Sequence, residues 1–122
     1  RFSPDCFVTE GFDEYPMEED VRIPLSHSLF DDDAIVLTDA AKSVLLSSKK
    51  GKKGIRVTYP SMDYLGLWHR PKTDAPYVCI EPWTSLPSRK GIIEDLAMKK
   101  DLIRLPINSE YENQYIVEVE NN

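Results

Sequence analysis

The sequence predicts an all-β fold, an antiparallel sandwich or barrel. Three observations carry this. Short β-forming runs recur between turn signals, no long stretch has helical period, and the last run alternates strictly enough to mark a half-buried strand. About seven strands are expected from a chain of this size, which is thin for a closed sandwich. Unpaired strand edges would remain, so the chain is expected to pair with further polypeptide.

The elements follow in order. Cys6 to Glu10 reads as a short strand, and residues 11–20, acidic and broken by Gly11 and Pro16, as a loop. Ile35-Val36-Leu37 is a short buried strand behind Asp31-Asp32-Asp33. Ser43 to Lys49 and Gly54 to Tyr59 flank a Gly-containing lysine cluster and read as a β-hairpin. The lysines at its tip (Lys49, Lys50, Lys52, Lys53) read as a solvated turn.

Leu65 to Trp68 and Tyr77 to Glu81 are two further strands, joined through the turn residues Pro71-Lys72-Thr73-Asp74. Residues 82–91 contain Pro82, Pro87 and Gly91 and read as a loop. Ile92, Ile93 and Leu96 could line one helical turn, too short to assign. In the final run Tyr111, Asn113, Tyr115, Val117 and Val119 point one way, and Glu112, Gln114, Ile116, Glu118 and Glu120 the other.

Composition narrows the function classes. The 122 residues carry a net charge of -6, which argues against nucleic acid or an anionic membrane surface as partner. No run is long and apolar enough for a membrane-spanning helix, and Arg1-Phe2-Ser3-Pro4-Asp5 lacks the apolar core of a signal peptide. Cys6 and Cys79 are too few for a disulfide framework and are read as free thiols in a cytoplasmic setting.

Glu81 is the main candidate for chemistry. It leaves the apolar run Tyr77-Val78-Cys79-Ile80 and precedes Pro82-Trp83. A carboxylate there loses part of its hydration, which suits it to proton transfer, and the proline restricts its direction. The bland alternative is a strand-end glutamate in a surface ion pair. Trp68, with Trp83, His69 and Arg70, offers the aromatic face and polar groups that a sugar needs; the alternative is a core tryptophan beside a surface histidine and arginine. Asp31-Asp32-Asp33 could bind sugar hydroxyls, but lacks the regular ligand spacing of a calcium loop. His27 and His69 have neither metal-ligand spacing nor a nearby nucleophile signature. No metal site is expected.

These residues resemble a known family. Tyr77-Val78-Cys79-Ile80-Glu81-Pro82-Trp83, preceded by Leu65-Gly66-Leu67-Trp68 and followed by Gly91-Ile92-Ile93, is similar to the C-terminal part of the aldose 1-epimerases, in their LacX-type branch. Leu25-Ser26-His27-Ser28-Leu29-Phe30, leading into Asp33-Ala34-Ile35, and the closing strand to Glu120 resemble the same branch. The resemblance implies a galactose mutarotase-like antiparallel β-sandwich, of which residues 1–122 are a single partial domain.

It also implies the interconversion of α and β anomers of a hexose. A glutamate takes the anomeric hydroxyl proton, a histidine protonates the ring oxygen, and the opened sugar rotates and recloses. Glu81 falls on that base. The family's substrate-binding aspartate falls on Asp32 counting back from Leu37, or on Asp33 by the LacX-type pattern. Trp68 falls on an aromatic residue near the sugar, and Trp83 replaces a residue that is often polar in the better-studied mutarotases. No cofactor is implied, because only protons move. The family's acid histidine lies in a His-Pro segment upstream, and this chain has no such dipeptide. The implied partners are therefore a small-molecule sugar and the N-terminal part of the domain, or a second chain, that brings the histidine. A sugar-binding module without turnover is the alternative reading, and a purely structural β-domain a third.

Overall fold

A computed structural model describes residues 1–19, 22–48 and 50–121. The fold is all-β: two antiparallel three-stranded sheets with one turn of 3-10 helix at His27–Phe30. The strands are β1 (Ile35–Thr38), β2 (Ser43–Leu46), β3 (Lys53–Thr58), β4 (Tyr64–Trp68), β5 (Cys79–Trp83) and β6 (Ile116–Asn121). One sheet has the order β1-β4-β5 and the other β2-β3-β6.

Period-two alternation explains how the sheets face each other. On β4, Leu65 and Leu67 are buried and packed with Ile35 and Leu37 of β1 and Ile80 of β5. On β3, Val57 is buried, and Ile55 and Val44 join the same cluster. The two apolar faces thus share one core, closed by Phe30, Tyr59 and Met62. Tyr59 lies just past β3, where its hydroxyl donates to the Ala41 carbonyl at 2.6 Å and its amide to the Lys42 carbonyl at 2.9 Å. These bonds tie the end of β3 to the start of β2, so a buried phenol keeps its polar end satisfied.

The hairpin expected around the lysine cluster is present, with Val44 opposite Val57 and Leu46 opposite Ile55. Lys49 lies outside the described residues, as do Asp20 of the acidic loop and Val21. The run at 65–68 forms β4, and the one expected from Tyr77 forms a strand only from Cys79.

Four expectations change. Cys6 to Glu10 forms no strand; Val8 makes isolated bridges to Phe2 and Arg89 instead. Pro82 and Trp83 continue β5 rather than open a loop, because β5 is an edge strand and a missing amide proton is tolerated there. The final strand begins at Ile116, not Tyr111, and pairs with β3 alone. It also lacks the buried face that its alternation predicts: Tyr115, Val117 and Val119 are all exposed. Six strands stand among the described residues where about seven were expected. No helix of the described residues is long and apolar enough to cross a membrane.

Candidate functional site

The core takes one face of the β1-β4-β5 sheet, so alternation sends the polar candidates to the other. Leu65 and Leu67 point inward, which places Gly66 and Trp68 outward. In the adjoining strand Glu81 lies opposite Gly66, and Cys79 opposite Trp68. Cys79, Glu81 and Trp83 therefore share the outer face of β5, all of them half-buried.

Gly66 sets the packing of this face. A Cβ at that position would come within 3.1 Å of the Trp83 indole and 3.3 Å of the Glu81 Cβ. The indole thus lies across the bare backbone of β4, beside the glutamate. A glycine inside a strand signals such a close approach, and the sequence carried that signal.

The acidic turn reaches the same sheet through Trp68. The indole Nε1 donates to Asp33 Oδ1 at 2.8 Å, and the Cys6 thiol donates to Asp33 Oδ2 at 2.7 Å. Asp33 holds a left-handed backbone, φ 85°, a conformation that aspartate tolerates better than most residues. The other two acids of the run behave differently. Asp31 accepts the Lys72 amide at 3.1 Å, and Asp32 is exposed. Geometry joins Asp33, not Asp32, to Trp68.

Both thiols are pushed above the ordinary thiol range. The hydrogen bond to Asp33 pushes Cys6 upward, with burial and the Asp33 charge adding to it. Burial pushes Cys79 upward, and the neighbouring Glu81 carboxylate adds to it by charge and by a hydrogen bond. The contact between Cys79 and Glu81 had no sequence signal beyond their i, i+2 spacing on one strand.

His69 does not join this face. It follows Trp68, so alternation turns it inward, and it is 1% exposed rather than at the surface. Its ring lies 5.0 Å from those of His27 and Tyr77 and 6.0 Å from Phe30. Together they line a cavity of about 350 Å³ bounded also by Leu25 and Pro76, to which Glu81 does not contribute. A second cleft, about 540 Å³, opens at the far end of β5 between Trp83, Thr84, Ser85, Leu86 and Asn113. Among the described residues no three His, Cys, Asp or Glu side chains are grouped to hold a metal ion.

The tryptophan–carboxylate face lies within a stretch with known relatives. The chain is similar to LacX. It is 35% identical over 97 residues to Protein LacX, chromosomal, of Lactococcus lactis subsp. lactis, a match covering 75% of this chain and 32% of that protein. The same identity and coverage hold for Protein LacX, plasmid, of the same organism. The chain thus spans about a third of the length of these curated relatives. No family model matches it, and no solved structure does.

Proposed function

We propose that this chain supplies the carboxylate half of a LacX-type aldose 1-epimerase site. In this reading Glu81 takes the anomeric hydroxyl proton of a hexose. Asp33 holds a sugar hydroxyl, in preference to Asp32, and Trp68 and Trp83 offer aromatic faces to the C–H side of the ring. The observation that supports it most is the placing of Glu81 and Trp83 side by side over Gly66, on the sheet face where Trp68 carries Asp33. A half-buried carboxylate beside an indole is partly shielded from water, the setting in which general-base catalysis is effective.

The site needs an acid for the ring oxygen. His69 is buried on the opposite side of β4 and His27 lines its cavity, so neither is offered as that acid. The reading assigns it to polypeptide outside this chain, either the rest of the same domain or a second chain. The protons balance without a cofactor: Glu81 accepts one, the histidine gives one, and both return on ring closure.

Polarimetry on freshly dissolved α-glucose or α-galactose tests the proposal, using the polypeptide that joins this chain to its histidine-bearing part. Glu81→Gln is expected to lower the rate at least ~100-fold; an unchanged rate overturns the assignment. A second reading, a sugar-binding surface without turnover, rests on the same aromatic and carboxylate face. It predicts a saturable calorimetric signal that Trp83→Ala weakens, with anomers exchanging only at the spontaneous rate.

A further inference from the structure

Cys6 and Asp33 stand 27 positions apart in the chain, and the fold brings their side chains together. The Asp33 carboxylate takes one donor on each oxygen. The Trp68 indole N–H reaches Oδ1 at 2.8 Å, and the Cys6 thiol reaches Oδ2 at 2.7 Å. An ionised carboxylate only accepts, so both neighbours donate. One bond would leave the carboxylate free to turn about it; donors on both oxygens fix its plane.

The thiol is aimed by its own segment. Ser3 to Phe7 closes a tight loop: the Ser3 amide donates to the Phe7 carbonyl and the Cys6 amide to the Ser3 carbonyl, both at 2.9 Å. Val8 then pairs with the chain that follows β5. Its amide donates to the Ser88 carbonyl at 3.0 Å, and its carbonyl accepts the Lys90 amide at 2.9 Å. The Lys90 ammonium also meets Asp5 at 3.2 Å. Residues 5–8 therefore link the segment after Trp83 to the acidic turn before β1. Cys6 and Asp33 both hold left-handed backbones, φ 62° and 85°, a conformation that persists in non-glycine residues where surrounding contacts fix it.

We propose that Cys6 is a positioning residue: its thiol orients the Asp33 carboxylate against the Trp68 indole and so sets the direction in which Asp33 meets a sugar hydroxyl. The consequence for a sugar rests on the proposed aldose reading; the orientation of Asp33 does not. The role distinguishes Asp33 from its neighbours, since Asp31 is taken by the Lys72 amide and Asp32 is exposed. Local pattern hides it, because a single cysteine among β-forming residues reads as a small hydrophobe.

Two measurements test it. The first follows the indole N–H resonances, assignable because the chain has two tryptophans. Cys6→Ala is expected to move the Trp68 signal and leave that of Trp83 in place, and Cys6→Ser, which keeps a donor, to restore it. The second is polarimetry on α-galactose, with the polypeptide that joins this chain to its histidine-bearing part. Cys6→Ala should raise KM at least ~5-fold while kcat stays within ~2-fold, and Cys6→Ser should recover most of the loss. A Trp68 signal unmoved by Cys6→Ala overturns the proposal. So does an unchanged KM in an enzyme that Glu81→Gln disables, or a KM that Cys6→Ser fails to recover, which would mark lost packing rather than a lost donor. If Glu81→Gln leaves the rate unchanged, the aldose reading falls instead, and the Trp68 signal alone decides whether Cys6 orients Asp33.

Discussion

Gly66 is where one hydrogen atom in place of a methyl group decides the shape of the candidate site. Its neighbours on the outer face are the Trp83 ring and the Glu81 Cβ, both closer to a built Cβ than ordinary packing allows. Gly66→Ala must therefore tilt the indole away from the strand. We expect a loss of about 1–3 kcal/mol in urea unfolding, together with a changed near-ultraviolet tryptophan spectrum. A variant as stable as the parent with an identical spectrum would show that the indole does not lie there. Cys79 reports on Glu81 from the same face. Because the carboxylate raises the thiol by charge and hydrogen bond, Glu81→Gln should lower the Cys79 thiol pKa, although burial, the larger cause, remains. Iodoacetamide alkylation of Cys79 followed against pH should move to lower pH in the variant. An unmoved profile would separate the two side chains.

Among the elements, β4 is central to its sheet and β6 peripheral to the other. Leu65 is 2% exposed in the middle of β4, between β1 and β5. Leu65→Ala is expected to cost about 2–5 kcal/mol, read by thermal or urea unfolding; a loss below 1 kcal/mol would mean that the two sheets do not share this core. β6 is held to β3 by its ladder and by Arg56, whose guanidinium grips both carboxylate oxygens of Glu120. That hydrogen bond, with the Arg56 charge, holds Glu120 below its ordinary 4.5.

The connection from β5 to β6 is long and is pinned in the same chemical manner. Backbone bonding from Arg89, reinforced by its side chain, lowers Glu94. Burial would raise Asp101, but the Leu86 amide and the Lys99 ammonium outweigh it and lower it. All three folded values lie below the unfolded ones. Their stabilising contribution is therefore complete above the ordinary carboxylate range and is lost as pH falls through and below it. Unfolding midpoints should hold near neutrality and drop on the acid side of pH 4.5. In Glu120→Gln the drop should be shallower, and an equally steep one would remove this pair from the account.

For the whole molecule, the main feature is how much apolar surface stays outside. Ile93, Leu96, Met98, Leu105 and Ile107 of the long connection are exposed, as are Tyr115, Val117 and Val119 at the β6 edge. Apolar surface gathered on one stretch and beside an open strand edge marks an interaction surface. The proposed partner is polypeptide that completes the sandwich, in keeping with a chain that spans about a third of its LacX relatives. The chain by itself is expected to self-associate with rising concentration in sedimentation and to bind a hydrophobic dye. A monomer that binds no dye at high concentration would remove the need for further polypeptide.

Local pattern sufficed for much of this. The hairpin at 43–58, β4 and β5 were legible because β-branched and aromatic runs alternate between strong turn signals. Glu81, Trp68 and Trp83 could be singled out because each sits in or beside such a run. The last strand shows the limit: its alternation was real, but burial depends on a covering layer, and nothing among the described residues covers β6. The sequence by itself determined which residues of a strand share a face, since that follows from the two-residue period of an extended chain. Only the tertiary structure decided which face meets the core. It also put Asp33 rather than Asp32 on the Trp68 indole, and brought His27 beside His69. Those outcomes depend on register and sheet packing between distant segments, which local preference does not encode.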